Sequence, residues 1–99
     1  MVAIYPRSFL FMNPYQEINE RVAVVATYRV ADSISLCYPA KMRWRSRDIS
    51  FVELGLRHPT TKGNRMIHVF DVSDGVNDYR LEFDAEALTW TLVSLRGDM

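Results

Sequence analysis

Residues 65–84 read RMIHVFDVSDGVNDYRLEFD. Two alternating runs flank Ser73, Asp74 and Gly75. In the first, Met66, His68, Phe70 and Val72 share one face, and Ile67, Val69 and Asp71 share the other. In the second, Tyr79, Leu81 and Phe83 turn inward while Asp78, Arg80, Glu82 and Asp84 turn to water. Strict alternation is the mark of a half-buried strand, because successive side chains of a strand point to opposite faces. Asp-Gly between two such runs is a strong hairpin signal, since glycine accepts the positive φ of a tight turn. Asn77 and Asp78 leave room for a longer loop with a later strand start. Asp84 to Ala87 reads as a four-residue turn, or as one helical turn capped by Asp84. Leu88 to Leu95 is then a third strand, with Leu88, Trp90 and Leu92 inward and Thr89, Thr91 and Ser94 outside. Residues 65–95 are therefore expected to form a three-stranded antiparallel meander.

Upstream, Arg21 to Val30 is rich in β-branched residues and free of Gly and Pro, so it predicts a strand. Both of its faces are partly apolar, which suits a central position or cover on two sides. Asp32 and Ser33 mark a turn. Ile34 to Tyr38 is extended and is ended by Pro39, which has no N–H for a ladder. In Lys41 to Arg45 the charged Lys41, Arg43 and Arg45 alternate with Met42 and Trp44. Ser46 and Arg47 turn the chain, and Ile49 to Leu54 returns as a strand, with a short helix capped by Asp48 as the alternative. Leu56 to Asn64, with Pro59 and Gly63, reads as a polar loop. The expected fold is all-β. About six antiparallel strands in hairpins and a meander form a curled sheet, small barrel or sandwich, with at most one short helical turn. Residues 1–18 read as a poorly ordered or loosely docked N-terminal extension, with Met12 an alternative start, and residues 19–96 as a single β domain.

The 99 residues suit one domain, and 48% hydrophobic with 24% charged residues argues against global disorder. Net charge is zero, but its distribution is uneven. Residues 41–65 carry seven basic against two acidic side chains, and residues 66–99 two basic against seven acidic. A basic middle and an acidic end can attract each other within one fold or between two copies, and either suits a neutral chain better than a polyanion partner. The lone cysteine, Cys37, excludes an intrachain disulfide, fits a reducing cytoplasm and reads as a buried structural thiol. No run approaches the ~18 apolar residues of a membrane span, and the N-terminal apolar stretch is too short for a signal peptide.

Four segments carry a family resemblance: LGLRHP from Leu54, HVFDVSDG from His68, YRLEFD from Tyr79 and WTL from Trp90. Together they resemble small bacterial proteins of unknown function with a Trp-containing strand pair and a YRLEFD…LxWxL meander. The resemblance covers roughly residues 42–95. It implies a β fold and no particular chemistry.

Several polar groups are candidates for function. Lys41, Arg43, Arg45 and Arg47 line one strand face and its turn, near Trp44 and Tyr38, as in single-strand nucleic-acid grooves. Alternation places Trp44 on the opposite face from Arg43 and Arg45, however, and a solvated face that blunts an edge explains the charges better. Arg57 and His58 precede Pro59 and could hold an anion from a loop. His68 lies among apolar residues, in or beside the core, and an enzyme using His68 with Asp71 is the remotest reading. Asp71, Ser73, Asp74, Asn77 and Asp78 cluster at the hairpin but lack the order of an EF-hand, and tight turns use these residues anyway. The outward pair Glu82 and Asp84 lies about 7 Å apart by strand geometry. No catalytic triad, phosphate loop, metal site or cofactor motif is recognised. The expectation is a non-enzymatic module that binds a protein or a second copy of itself, and the alternative is a single-stranded nucleic-acid-binding barrel using Lys41, Arg43, Arg45 and Arg47.

Overall fold

The computed structural model describes residues 15–31 and 34–97, with side chains described outside 29–36. They form β1 (Gln16–Ala31), β2 (Ile34–Trp44), β3 (Arg47–Ser50), β4 (Glu53–Lys62), β5 (Arg65–Ser73), β6 (Asn77–Asp84) and β7 (Thr89–Gly97). All seven belong to one antiparallel sheet in the order β3-β2-β1-β7-β6-β5-β4. The meander is present as expected, with Phe70 opposite Leu81 and Leu81 opposite Leu92. β3 and β4 stand at opposite ends of this order, yet Phe51 and Val52 alone join them. Phe51 N–H donates to the Ala40 carbonyl at 2.9 Å, and Val52 N–H donates to the Ser73 carbonyl at 2.8 Å. The sheet therefore curls until its two ends share a connection, without hydrogen-bonded closure into a barrel.

Curling wraps one face around a core of Met42, Trp44, Ile49, Phe70, Val72, Tyr79, Leu81, Trp90 and Leu92. Full burial of an aliphatic side chain such as Leu81 or Leu92 contributes about 1.5–3 kcal/mol. Trp90 packs between Phe70 and Phe83, with ring centroids 5.4 and 4.8 Å away. Phe51 meets Tyr79 edge to face at 5.6 Å, so the β3–β4 connection is itself seated on the core.

Several expectations are corrected. β1 starts at Gln16, within the expected extension, and Gln16 pairs with Leu95; residues 1–14 lie outside those described. β1 is central, between β2 and β7, but its outer face is bare, with Val25 56% exposed. Pro39 does not end a strand. The register slips between Val25 and Ala26, so β2 passes Pro39 with Ala40 as the extra residue, and Pro39 is fully buried. The strand expected over Ile49 to Leu54 divides at Phe51 and Val52, and Leu56 to Lys62 is strand rather than loop. Proline is tolerated there because β4 is an edge, and only Gly63 and Asn64 turn the chain. Leu88 is 74% exposed rather than inward. Its N–H donates to the Asp84 carbonyl at 2.7 Å and its φ is 60°, so it closes the turn that Asp84 caps.

Candidate functional site

The most constrained polar region is the β2–β3 turn. Trp44 pairs with Arg47, which leaves Arg45 and Ser46 to reverse the chain at φ 50° and 66°. Both values lie in the left-handed region, which is costly for a residue with a Cβ. A third residue of this kind, Asn19 at φ 53°, sits where the β1–β7 register slips between Glu17 and Glu20. That bulge aims Glu20 at the turn. Trp44 Nε1–H donates to Glu20 Oε1 at 2.9 Å, and the Arg45 guanidinium pairs with the same carboxylate. The Arg45 hydrogen bond, helped by that of Trp44, holds the Glu20 carboxyl below its ordinary range. Backbone strain gathered around one carboxylate and one buried indole marks this corner as a place where geometry is imposed by its surroundings.

The corner also changes the reading of the basic residues. Arg45 was expected on the face opposite Trp44, but the turn starts at Arg45 and ends the alternation. Its guanidinium lies 4.6 Å from the Trp44 ring centroid, and that of Arg47 lies 5.9 Å away. Trp44 is 6% exposed, so its ring is a core element capped by arginine. Arg43 is paired with Asp48 at 2.9 Å. Lys41 and Arg47 make no ion pair among the described residues. Beside the turn, Arg47, Asp48, Ser50, Asp74, Asn77 and Tyr79 line an open cleft of about 440 Å³.

Arg57 and His58 are brought together with none of these. They lie on β4, opposite Phe70 and Val69, and so point to opposite faces. That alternation sets the two side chains apart instead of side by side. His68 is half-buried with Phe83 beside it, whereas Asp71 faces the other way and forms a forked pair with Arg80 at 2.8 and 3.0 Å. Asp74 is committed to its turn. Its Oδ1 accepts from Val76 and Asn77 N–H, and its Oδ2 accepts from the Tyr79 hydroxyl at 2.8 Å. Burial alone would raise its pKa, but these hydrogen bonds outweigh burial and lower it. Glu82 and Asp84 are paired with Lys62 and Arg65 at 2.8 and 2.7 Å. The basic and acidic segments thus meet within one chain. Cys37 is half-buried opposite Tyr28, not enclosed.

The β4 edge is not apparent from the sequence alone. β4 has β5 on one side and, among the described residues, no strand on the other. Leu54 and Leu56 are 44% and 52% exposed along it, and Val52, just before its start, is 71% exposed. The register slips between Leu54 and Leu56, and Gly55 fills the bulge; a Cβ there would meet the Asp71 carbonyl oxygen at 3.3 Å. The signal was present as two leucines flanking a glycine, but it was absorbed into a strand end and a loop. Glu20 left no local signal, because its partners lie 24 and 25 residues away. Among the described residues no helix is long and apolar enough to cross a membrane. Comparison with family models, curated proteins and solved structures finds no match.

Proposed function

We propose that this chain is a non-enzymatic protein-binding or self-assembly module whose working surface is the β4 edge. The observation that carries the reading is a strand edge with no partner among the described residues, bearing exposed Leu54 and Leu56 with exposed Val52 just before it. An unpaired edge offers a row of backbone donors and acceptors, and added strands use that row for affinity and neighbouring side chains for specificity. The single cysteine supports placing the module in a reducing compartment such as the cytoplasm. The test is selection from a displayed library of extended peptides, followed by amide NMR. Binders should shift the amides of Glu53 to Lys62 and lose affinity when Leu56 is replaced by lysine. Binders that shift only other strands would sink the reading.

The nucleic-acid alternative has less support. In its favour, Lys41 and Arg47 are not ion-paired among the described residues. Against it, Arg43 and Arg45 are held by Asp48 and Glu20, and Trp44 is buried. Binding of a single-stranded oligonucleotide that falls steeply with salt, and falls again in Arg47→Ala, would favour it.

A further inference from the structure

The β4 edge carries its charges in a definite order. Glu53 stands at its start, and Arg57 and His58 follow beyond the two leucines. Among the described residues neither Glu53 nor Arg57 makes an ion pair, although Lys62 on the same strand and Arg65 just after it both do. We infer that the strand this edge accepts is β4 of a second copy, paired antiparallel about a twofold axis between Gly55 and Leu56. The inference rests on the edge-binding reading above and names its partner.

Three features select a copy over an unrelated strand. The first is the bulge. A bulged edge mismatches a regular strand, which is one way proteins blunt their edges. A twofold-related β4 carries the same bulge at the same place, so the two irregularities coincide. The second is side-chain direction. In this register Leu54 meets Arg57 of the second copy, and Glu53 meets His58 of the second copy. Leu54 and Arg57 lie opposite Val72 and Phe70, both on the core side of β5. Glu53 and His58 lie opposite Ser73 and Val69, both on the other side. Each pair therefore shares a face, as cross-strand partners must. The leucine packs along the arginine stem, while the Glu53 carboxylate accepts from the His58 imidazole one residue away from the Arg57 guanidinium. Parallel pairing would instead set Glu53 beside Glu53 and Arg57 beside Arg57. The third is length. Pro59 lacks an N–H and meets Val52 in this register, where β4 has not yet begun, so both ends of the paired stretch stop at a natural boundary.

Sedimentation equilibrium on the full chain tests this, run from micromolar to millimolar concentration with reductant present so that Cys37 cannot link chains. The expected result is a reversible monomer–dimer equilibrium. Glu53→Arg should weaken the dimer by roughly tenfold, since the His58 imidazole then loses its acceptor and meets a cation instead. Adding His58→Glu to that variant should restore most of the lost affinity, because the swap puts an opposite-charge pair back at both symmetric contacts. Glu53 is exposed and His58 half-buried, and circular dichroism checks that the sheet is intact. A chain monomeric at every concentration, or a double variant no tighter than Glu53→Arg, would overturn the inference. A monomer whose β4 amides still respond to selected peptides removes only the second copy as partner; a monomer without that response removes the edge-binding reading as well.

Discussion

Two tight turns reverse this chain by opposite means. At the β5–β6 turn, Gly75 takes φ 97° and Asp74 binds the Val76 and Asn77 N–H groups. Asp74 and Gly75, with Ser73 and Asn77 beside them, are residues that a turn favours for reasons internal to the turn. At the β2–β3 turn, Arg45 and Ser46 take left-handed φ without a glycine, and Glu20, far away in sequence, clamps Arg45 and Trp44. The first turn is stabilised by its own chemistry. The second is held by the sheet that converges on it. A turn of the first kind can help bring its strands together, whereas one of the second kind exists only after β1 and β2 are paired.

The self-sufficient turn loses most when its aspartate is removed. Asp74→Ala removes the acceptor of two backbone N–H groups and of the buried Tyr79 hydroxyl, and should cost about 3 kcal/mol in chemical denaturation. It also carries a pH signature. The folded carboxyl of Asp74 is lowered, as are those of Glu20 and Asp84, whose main causes are hydrogen bonds from Arg45 and Arg65 respectively. A lowered folded pKa contributes stability that is fully present above the ordinary carboxylate value and is lost as pH falls through the folded value. Stability should therefore fall with acid below the ordinary carboxylate range, and Asp74→Asn should make that fall shallower. An unchanged acid limb would show that Asp74 is not a source of it. Gly75→Ala comes next. The nearest side-chain atom, Val52 Cγ2, is 3.8 Å from the added Cβ, so space is sufficient and the cost is backbone strain of about 2 kcal/mol. Equal stability of the two proteins would mean that the turn adopts another geometry.

This contrast also explains what could be read from the sequence. The meander was legible because its alternation and its Asp-Gly turn are local signals. β4 was not, because Pro59 and the Thr-Thr-Lys-Gly-Asn stretch have loop chemistry, and only the edge position makes them strand. Pro39 misled for a related reason: a bulge opposite β1 absorbs it, and bulges depend on pairing. Among the site residues, Arg47, expected in the turn, instead opens β3, while Lys41 and Arg43 stand where the alternation placed them. Arg45 does not, since alternation stops at the turn, and Arg57 with His58 were given loop freedom that a strand denies. Glu20 could not be found from its neighbours, because what defines it is a contact across β1 and β2.

The smaller effects belong to the turn that depends on its surroundings. Glu20→Gln keeps an oxygen for Trp44 Nε1–H and discards the charge pair with Arg45. Exposed pairs of this sort contribute little and are screened by salt. The melting temperature should drop less than in either meander variant, and the two proteins should converge in concentrated salt. A difference that survives salt would point to geometry instead of charge. Ser46→Gly should have the smallest effect and the opposite sign. Glycine relieves the left-handed strain at φ 66° but loses more backbone entropy on folding, for a net gain of about 0.5 kcal/mol. It is the mirror of Gly75→Ala: one removes a strained Cβ, the other adds one. If Ser46→Gly destabilises the protein, the left-handed turn is held by the serine side chain itself, and the division between a self-made turn and an imposed one fails. If it stabilises, Ser46 is strained in place by β2, β3 and Glu20, and the corner carries a cost that folding of the rest of the sheet offsets.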